Sequence, residues 1–128
     1  MKKTLLFVFL SFSVLALRAA DIYDDVAAAI RSGNSKEVAG FFTPSVDLTI
    51  LVQEGMYSKA QAEVIIRDFF AKNSPKSFSI LHKGTSKEGS MYAIGNLQTT
   101  DGRIFRTYFF IKQISGKNFI QELRFEKE

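Results

Sequence analysis

Residues 58–75 read SKAQAEVIIRDFFAKNSP, and this stretch decides the fold. Ser58 with Gln61 is a capping box, in which each side chain accepts from a backbone N–H that the helix start leaves without a partner. Ala62, Ile65, Ile66, Phe69 and Phe70 then fall at i, i+3, i+4, i+7 and i+8, one apolar stripe along a helix. Asn73-Ser74-Pro75 ends it, because proline cannot continue the hydrogen-bond ladder. A helix with a single stripe needs one apolar surface to cover it.

The residues downstream supply that surface. From Lys76 onward the pattern is strand, cut by turn signals at Ser86–Gly89, Thr100-Asp101-Gly102 and Ser115-Gly116-Lys117. Short turns between long strands make antiparallel neighbours, so a four-stranded meander is expected. In the segment Arg103–Ile114, Phe105, Phe109 and Ile111 form one face. The other face, Ile104, Arg106, Tyr108, Phe110 and Lys112, is mixed, and a face that merely met water would not carry Tyr108 and Phe110.

Upstream the chain is mainly helical. Asp21 caps a first helix, Asp24 and Asp25 complement its dipole, Ile22, Val26, Ala29 and Ile30 mark its buried face, and Gly33 ends it. A short second helix is expected with Ser35 as cap and Val38, Phe41 and Phe42 on one side, stopped by Thr43-Pro44. Val46–Leu51 reads as a strand and Glu54-Gly55 as a turn. Helix, helix, strand, helix and a long antiparallel sheet is an α+β arrangement, with the helices on one side of a bent sheet.

Three segments carry a family resemblance: SKAQAEVIIRDFFAKNSPKSFSILHKGTS, YAIGNLQTTDGRIFRTYFF and IQELRFEK. They are similar to a DUF4783-like family of small exported bacterial proteins in the nuclear-transport-factor-2-like (cystatin-like) superfamily. The resemblance spans roughly Ile22 to Lys127. It implies a cone of three N-terminal helices on a curved antiparallel sheet, and it brings no assigned activity. The superfamily includes ketosteroid isomerase, dehydratases, polyketide cyclases, dimerisation modules and plain binding domains, so fold is a poor guide to chemistry.

The first twenty residues bear on address. Lys2 and Lys3 precede the uncharged apolar run Thr4–Leu17 (TLLFVFLSFSVLAL), with the small residue Ala16 near its end and Ala19 and Ala20 just before Asp21. That order is a secretory signal peptide, and the run is shorter than the ~20 residues of a membrane-spanning helix. The expected division is a leader over 1–20, with cleavage between Ala16 and Asp21, and one domain over 21–128. The protein is then periplasmic or extracellular, and its mature chain has no membrane span. Of the 17 Lys and Arg, three (Lys2, Lys3 and Arg18) belong to the leader, leaving 14 against 13 acidic residues. Near-neutrality removes the electrostatic case for nucleic acid as a partner. With no cysteine and one histidine, neither a disulfide nor a metal centre is expected, and no cofactor motif occurs.

Candidate chemistry rests on few residues. His82, which is expected to share a strand face with Phe78 and Ile80, is either an acid, base or ligand contact inside the cone or a strand-end residue bonded to backbone or a neighbouring strand. Asp47 and Glu122 are the carboxylates that alternate with apolar strand residues. An isomerase-like mechanism would set one of them against His82 or a tyrosine, for which Tyr57, Tyr92 and Tyr108 are the candidates. Phe78, His82, Tyr92 and Phe105 are the expected lining for a small apolar ligand, and Arg106, Tyr108 and Phe110 the expected homodimer surface. A noncatalytic binding or dimerisation module is the favoured reading. A small isomerase, cyclase or dehydratase would require two titratable groups converging in the pocket. A structural subunit of an envelope assembly would show an exposed apolar patch and a shut cone.

Overall fold

The helix expected from residues 58–75 forms over Lys59–Lys72, and both capping-box hydrogen bonds are made: Gln61 N–H donates to Ser58 Oγ at 3.2 Å and Ser58 N–H to Gln61 Oε1 at 3.3 Å. This is α3 of a computed structural model that describes residues 21–128; the expected leader, residues 1–20, lies outside the described residues. Two helices precede it, α1 (Ile22–Ser32) and α2 (Ser35–Gly40). Asp21 caps α1 by accepting from the Tyr23 N–H, and Gly33 closes it at φ 68°. The cap of α2 is Asn34 rather than Ser35, since it is Asn34 Oδ1 that accepts from Glu37 N–H at 3.1 Å.

Six strands complete the fold: β1 (Phe42–Ile50), β2 (Gln53–Ser58), β3 (Pro75–Thr85), β4 (Met91–Thr99), β5 (Ile104–Ile114) and β6 (Lys117–Lys127). They form one sheet in the order β2-β1-β6-β5-β4-β3. Every neighbouring pair is antiparallel except β1–β6, which is parallel. The β3–β6 meander is as expected.

Two expectations about the first part of the chain are corrected. Thr43-Pro44 does not end the second helix; α2 stops at Gly40 and both residues lie inside β1. Proline fits there because pairing with β2 begins at Ser45 and the register with β6 shifts between Phe42 and Asp47, so no ladder needs the missing N–H. Glu54-Gly55 is not a turn but part of β2. The turn is Leu51-Val52, with Leu51 at φ 60°, a conformation that costs a branched residue energy. The Leu51 N–H is held by Phe125 C=O at 2.7 Å, a long-range bond that no local motif announces.

Helices α1 and α3 lie against one face of the sheet, and α2 packs on both of them. Phe69 of α3 stacks on Phe125 at 4.9 Å between ring centroids and meets Phe105 edge-on at 5.2 Å. Tyr23 of α1 reaches Phe109, and its hydroxyl donates to Gly84 C=O at 3.1 Å. Leu97, Phe105, Phe109, Ile111, Leu123 and Phe125 are all buried beneath the helices. These side chains form a packed layer between the helices and the sheet.

Candidate functional site

Two bulges decide which side chains reach which face. In β3 the pairing with β4 slips between Ile80 and His82, leaving Leu81 as the extra residue. Phe78 and Ile80 therefore face the helices, whereas His82 turns to the outer face. The expectation that all three share a face is corrected: strict alternation cannot register one inserted residue. In β6 the pairing with β5 slips between Ile120 and Glu122, so Ile120 is buried in the core and Glu122 stands on the outer face.

The outer face of the sheet, opposite the helices, gathers a connected row of side chains. His82 Nε2 lies 3.0 Å from Tyr92 Oη, and the donor in that bond depends on the imidazole tautomer. The Tyr92 ring stacks on Tyr108 at 6.3 Å, and the Arg124 guanidinium sits 5.7 Å from the Tyr108 centroid. Arg124 Nε in turn contacts Glu122 Oε1 at 2.8 Å, a charge contact without hydrogen-bond alignment, and its Nη1 lies 4.0 Å from Glu126. Gly84 makes the row possible. A Cβ there would meet the Tyr92 ring at 2.5 Å, so only glycine lets that ring lie across β3.

The electrostatics follow from this packing. Partial burial, and then the Glu122 charge, raise the Tyr108 phenol above its ordinary pKa. Burial works to lower the Arg124 pKa, but Glu122, Glu126 and Glu54 outweigh it and the net shift is upward. Both groups thus hold at neutral pH the forms that stack: a neutral phenol beneath a fixed cation. Two shallow grooves flank Tyr108. One, of about 260 Å³, is lined by Ile94, Arg106, Glu122, Arg124 and Glu126; the other, of about 380 Å³, by Asp47, Met56, Phe110, Gln121 and Glu122. Tyr108 is the ridge between them.

The candidate residues therefore separate into two groups. Phe78 and Phe105 are core residues, 5% and 3% exposed, one packed over Gly95 and the other against Phe69. His82 and Tyr92 are on the outer face; Phe78 and His82 both edge a groove of about 490 Å³ beside α1, but Tyr92 and Phe105 do not line it, so the four expected lining residues do not enclose one site. Asp47 and Glu122 are neighbours in the parallel β1–β6 pair. Three strand spacings, ~14 Å, separate Glu122 from His82, and Glu122 is engaged by Arg124. His82 bonds a tyrosine side chain rather than the backbone. Arg106, Tyr108 and Phe110 do share the outer face. Among the described residues no three His, Cys, Asp or Glu side chains form a group that could hold a metal ion, and no helix is long and apolar enough to cross a membrane.

Sequence reading passed over Glu54, Met56 and Ile94, which complete this face. Met56 is 62% exposed. The signal that could have found Glu54 and Met56 is their alternation with Gly55 and Tyr57, which an assumed turn concealed.

Comparison with known proteins agrees with this architecture. The family profile described as "Domain of unknown function (DUF4783)" matches residues 23–126. A solved DUF4783 family protein from Bacteroides uniformis is 30% identical, with a TM-score of 0.78 over 84% of this chain and 98% of that one. A protein from Shewanella baltica described as NTF2-like is 10% identical, at 0.64 over 84% and 88%. One from Xanthomonas campestris, described as a calcium/calmodulin dependent protein kinase II association domain, is 20% identical, at 0.63 over 84% and 83%. The last two likenesses concern the fold alone. No curated protein matches the chain.

Proposed function

Since the chain belongs to the DUF4783 family, whose description names no activity, we propose from its own surface that it is an exported, noncatalytic binding and dimerisation module. Its working surface is the outer face of the sheet, and its first partner is a second copy of itself. The observation that carries this reading is the position of Tyr92, Ile94, Tyr108, Phe110 and Met56 on a sheet face that no other layer of the described residues covers. Aromatic side chains on one side of a sheet bury large areas only when a second layer closes over them. A two-fold contact supplies that layer with no further component, because one patch serves both subunits.

The packed interior favours an outward-facing role over a ligand held in the cone. It also fits the picture of an assembly subunit, a shut cone beside an exposed apolar patch, of which a homodimer is the simplest form. The same fold is described as an association domain in the Xanthomonas campestris protein, a precedent for the fold rather than for this chain. Export enters the proposal through the leader-like residues 1–20, and the N-terminal sequence of the protein recovered from the envelope or medium tests it. A start within residues 17–21 is expected; a start at Met1 overturns it.

Tyr108→Glu tests the working surface. It places a charge on the ridge between the two grooves without touching the buried face of β5. The wild type is expected to sediment as a dimer and the variant as a folded monomer. A wild type that remains monomeric at high concentration contradicts the proposal.

A further inference from the structure

The outer face is divided by charge into two halves. Among the described residues, strands β2, β1 and β6 present Glu54, Asp47, Glu122 and Glu126 there, against two cations, Arg124 and, at the start of β6, Lys117. Strands β5, β4 and β3 contain no Asp or Glu at all, and present Arg106 and Lys112 together with His82 and the stacked tyrosines. The boundary runs between β6 and β5, which is also the middle of the six-stranded order. Arg106 has no ion-pair partner within 4.0 Å among the described residues, while three carboxylates crowd around Arg124. Each half lacks what the other has in excess.

We infer that two copies pack outer face to outer face about a two-fold axis lying parallel to the strands between β5 and β6, so that the acidic half of each subunit covers the basic, aromatic half of the other. This rests on the reading of the outer face as a self-association surface and adds its geometry. The face admits two simple two-fold arrangements. An axis perpendicular to the strands would set β6 on β6 and β1 on β1, bringing four carboxylates against four. An axis along the strands instead sets β6 on the partner's β5, β1 on its β4 and β2 on its β3. Like charges placed opposite one another are strongly selected against at interfaces, so the second arrangement is the one the charges permit.

The strand register then fixes which residues meet. One row across the sheet runs Glu54, Thr49, Arg124, Tyr108, Ile94, His82. Folded on itself about its centre, that row puts Arg124 on the partner's Tyr108, Thr49 on the partner's Ile94 and Glu54 on the partner's His82. The next row pairs Arg106 with Glu126 across strands, so Arg106 meets the partner's Glu126.

The chain has no cysteine, so introduced thiols are the only ones present. Glu54 and His82 are exposed, on strands at opposite edges of the sheet, five strand spacings or ~24 Å apart within a subunit. The test treats Glu54→Cys, His82→Cys and the combined variant with a short bismaleimide able to span the ~10 Å between packed sheets. Only the combined variant is expected to run as a covalent dimer on a denaturing gel. A single variant that links to its own copy identifies the perpendicular axis and overturns the inference. So does a combined variant that stays unlinked while the wild type is a dimer that Tyr108→Glu dissociates; the working surface then stands and only the axis falls. A monomeric wild type overturns both.

Charge exchange is a second, independent test. Arg106→Glu and Glu126→Lys should each weaken self-association about tenfold or more. Mixed in equal amounts they should form a heterodimer, because both cross-subunit pairs are then of opposite sign. A mixture no tighter than either variant alone overturns the pairing of Arg106 with the partner's Glu126.

Discussion

Two glycines separate the demands of the core from those of the surface. A Cβ at Gly95 would lie 2.5 Å from Ser79 C=O and 2.8 Å from the Phe78 ring, and a backbone carbonyl in a ladder cannot step aside. Gly95→Ala should therefore cost about 1–3 kcal/mol in a denaturant titration, as overpacked sites do. At Gly84 the obstacle is the Tyr92 ring, which can swing away. Gly84→Ala should cost less stability, yet weaken self-association by displacing Tyr92 from the row that joins His82 to Tyr108. His82→Gln keeps a hydrogen-bonding group beside Tyr92 and should leave folding and sedimentation nearly unchanged. Asp101 gives a pH-dependent case: the Thr99 hydroxyl bond, aided by Arg103, holds its carboxyl below the ordinary value. Its contribution is thus present above the unfolded pKa of about 3.9 and lost as pH falls through the lower folded value. Asp101→Asn should be less stable than wild type at neutral pH and converge with it in strong acid.

Elements were legible where their signals were local. The Ser58 and Gln61 capping box with the Ala62–Phe70 stripe defines α3, and Asp21 with Gly33 bounds α1. Ser115-Gly116, both at positive φ, make the turn that their residue types announce. Strand β2 was hidden because its turn, Leu51-Val52, lacks the glycine or asparagine that usually marks a hairpin. The faces of His82 and Glu122 were hidden because each follows a bulge, and a bulge is set by pairing with another strand. Since both were candidate site residues, the site was less legible than the fold. At this scale Ser58→Ala should cost about 1 kcal/mol through loss of the cap, and Phe69→Ala about 3–5 kcal/mol, because Phe69 joins Phe105 to Phe125 in a closed core. Thermal or denaturant unfolding followed by far-ultraviolet circular dichroism checks both.

The molecule as a whole has one face closed by helices and one face left aromatic and divided by charge. Charge composition alone gave near-neutrality, which argues against nucleic acid but conceals the division, because the two halves cancel in the sum. Only the strand order collects the carboxylates on β2, β1 and β6. Self-association should accordingly weaken as salt rises, since the cross-subunit pairs are screened over a Debye length of ~8–10 Å. The most direct measurement of the central claim is hydroxyl-radical footprinting of residues 21–128 over a dilution series. As concentration rises, Met56, Tyr92 and Tyr108 are predicted to oxidise more slowly together, while Leu81, exposed at the β3 bulge, reacts at a constant rate. Outer-face residues that oxidise equally at every concentration, with protection absent or confined to the helical side, would contradict the account.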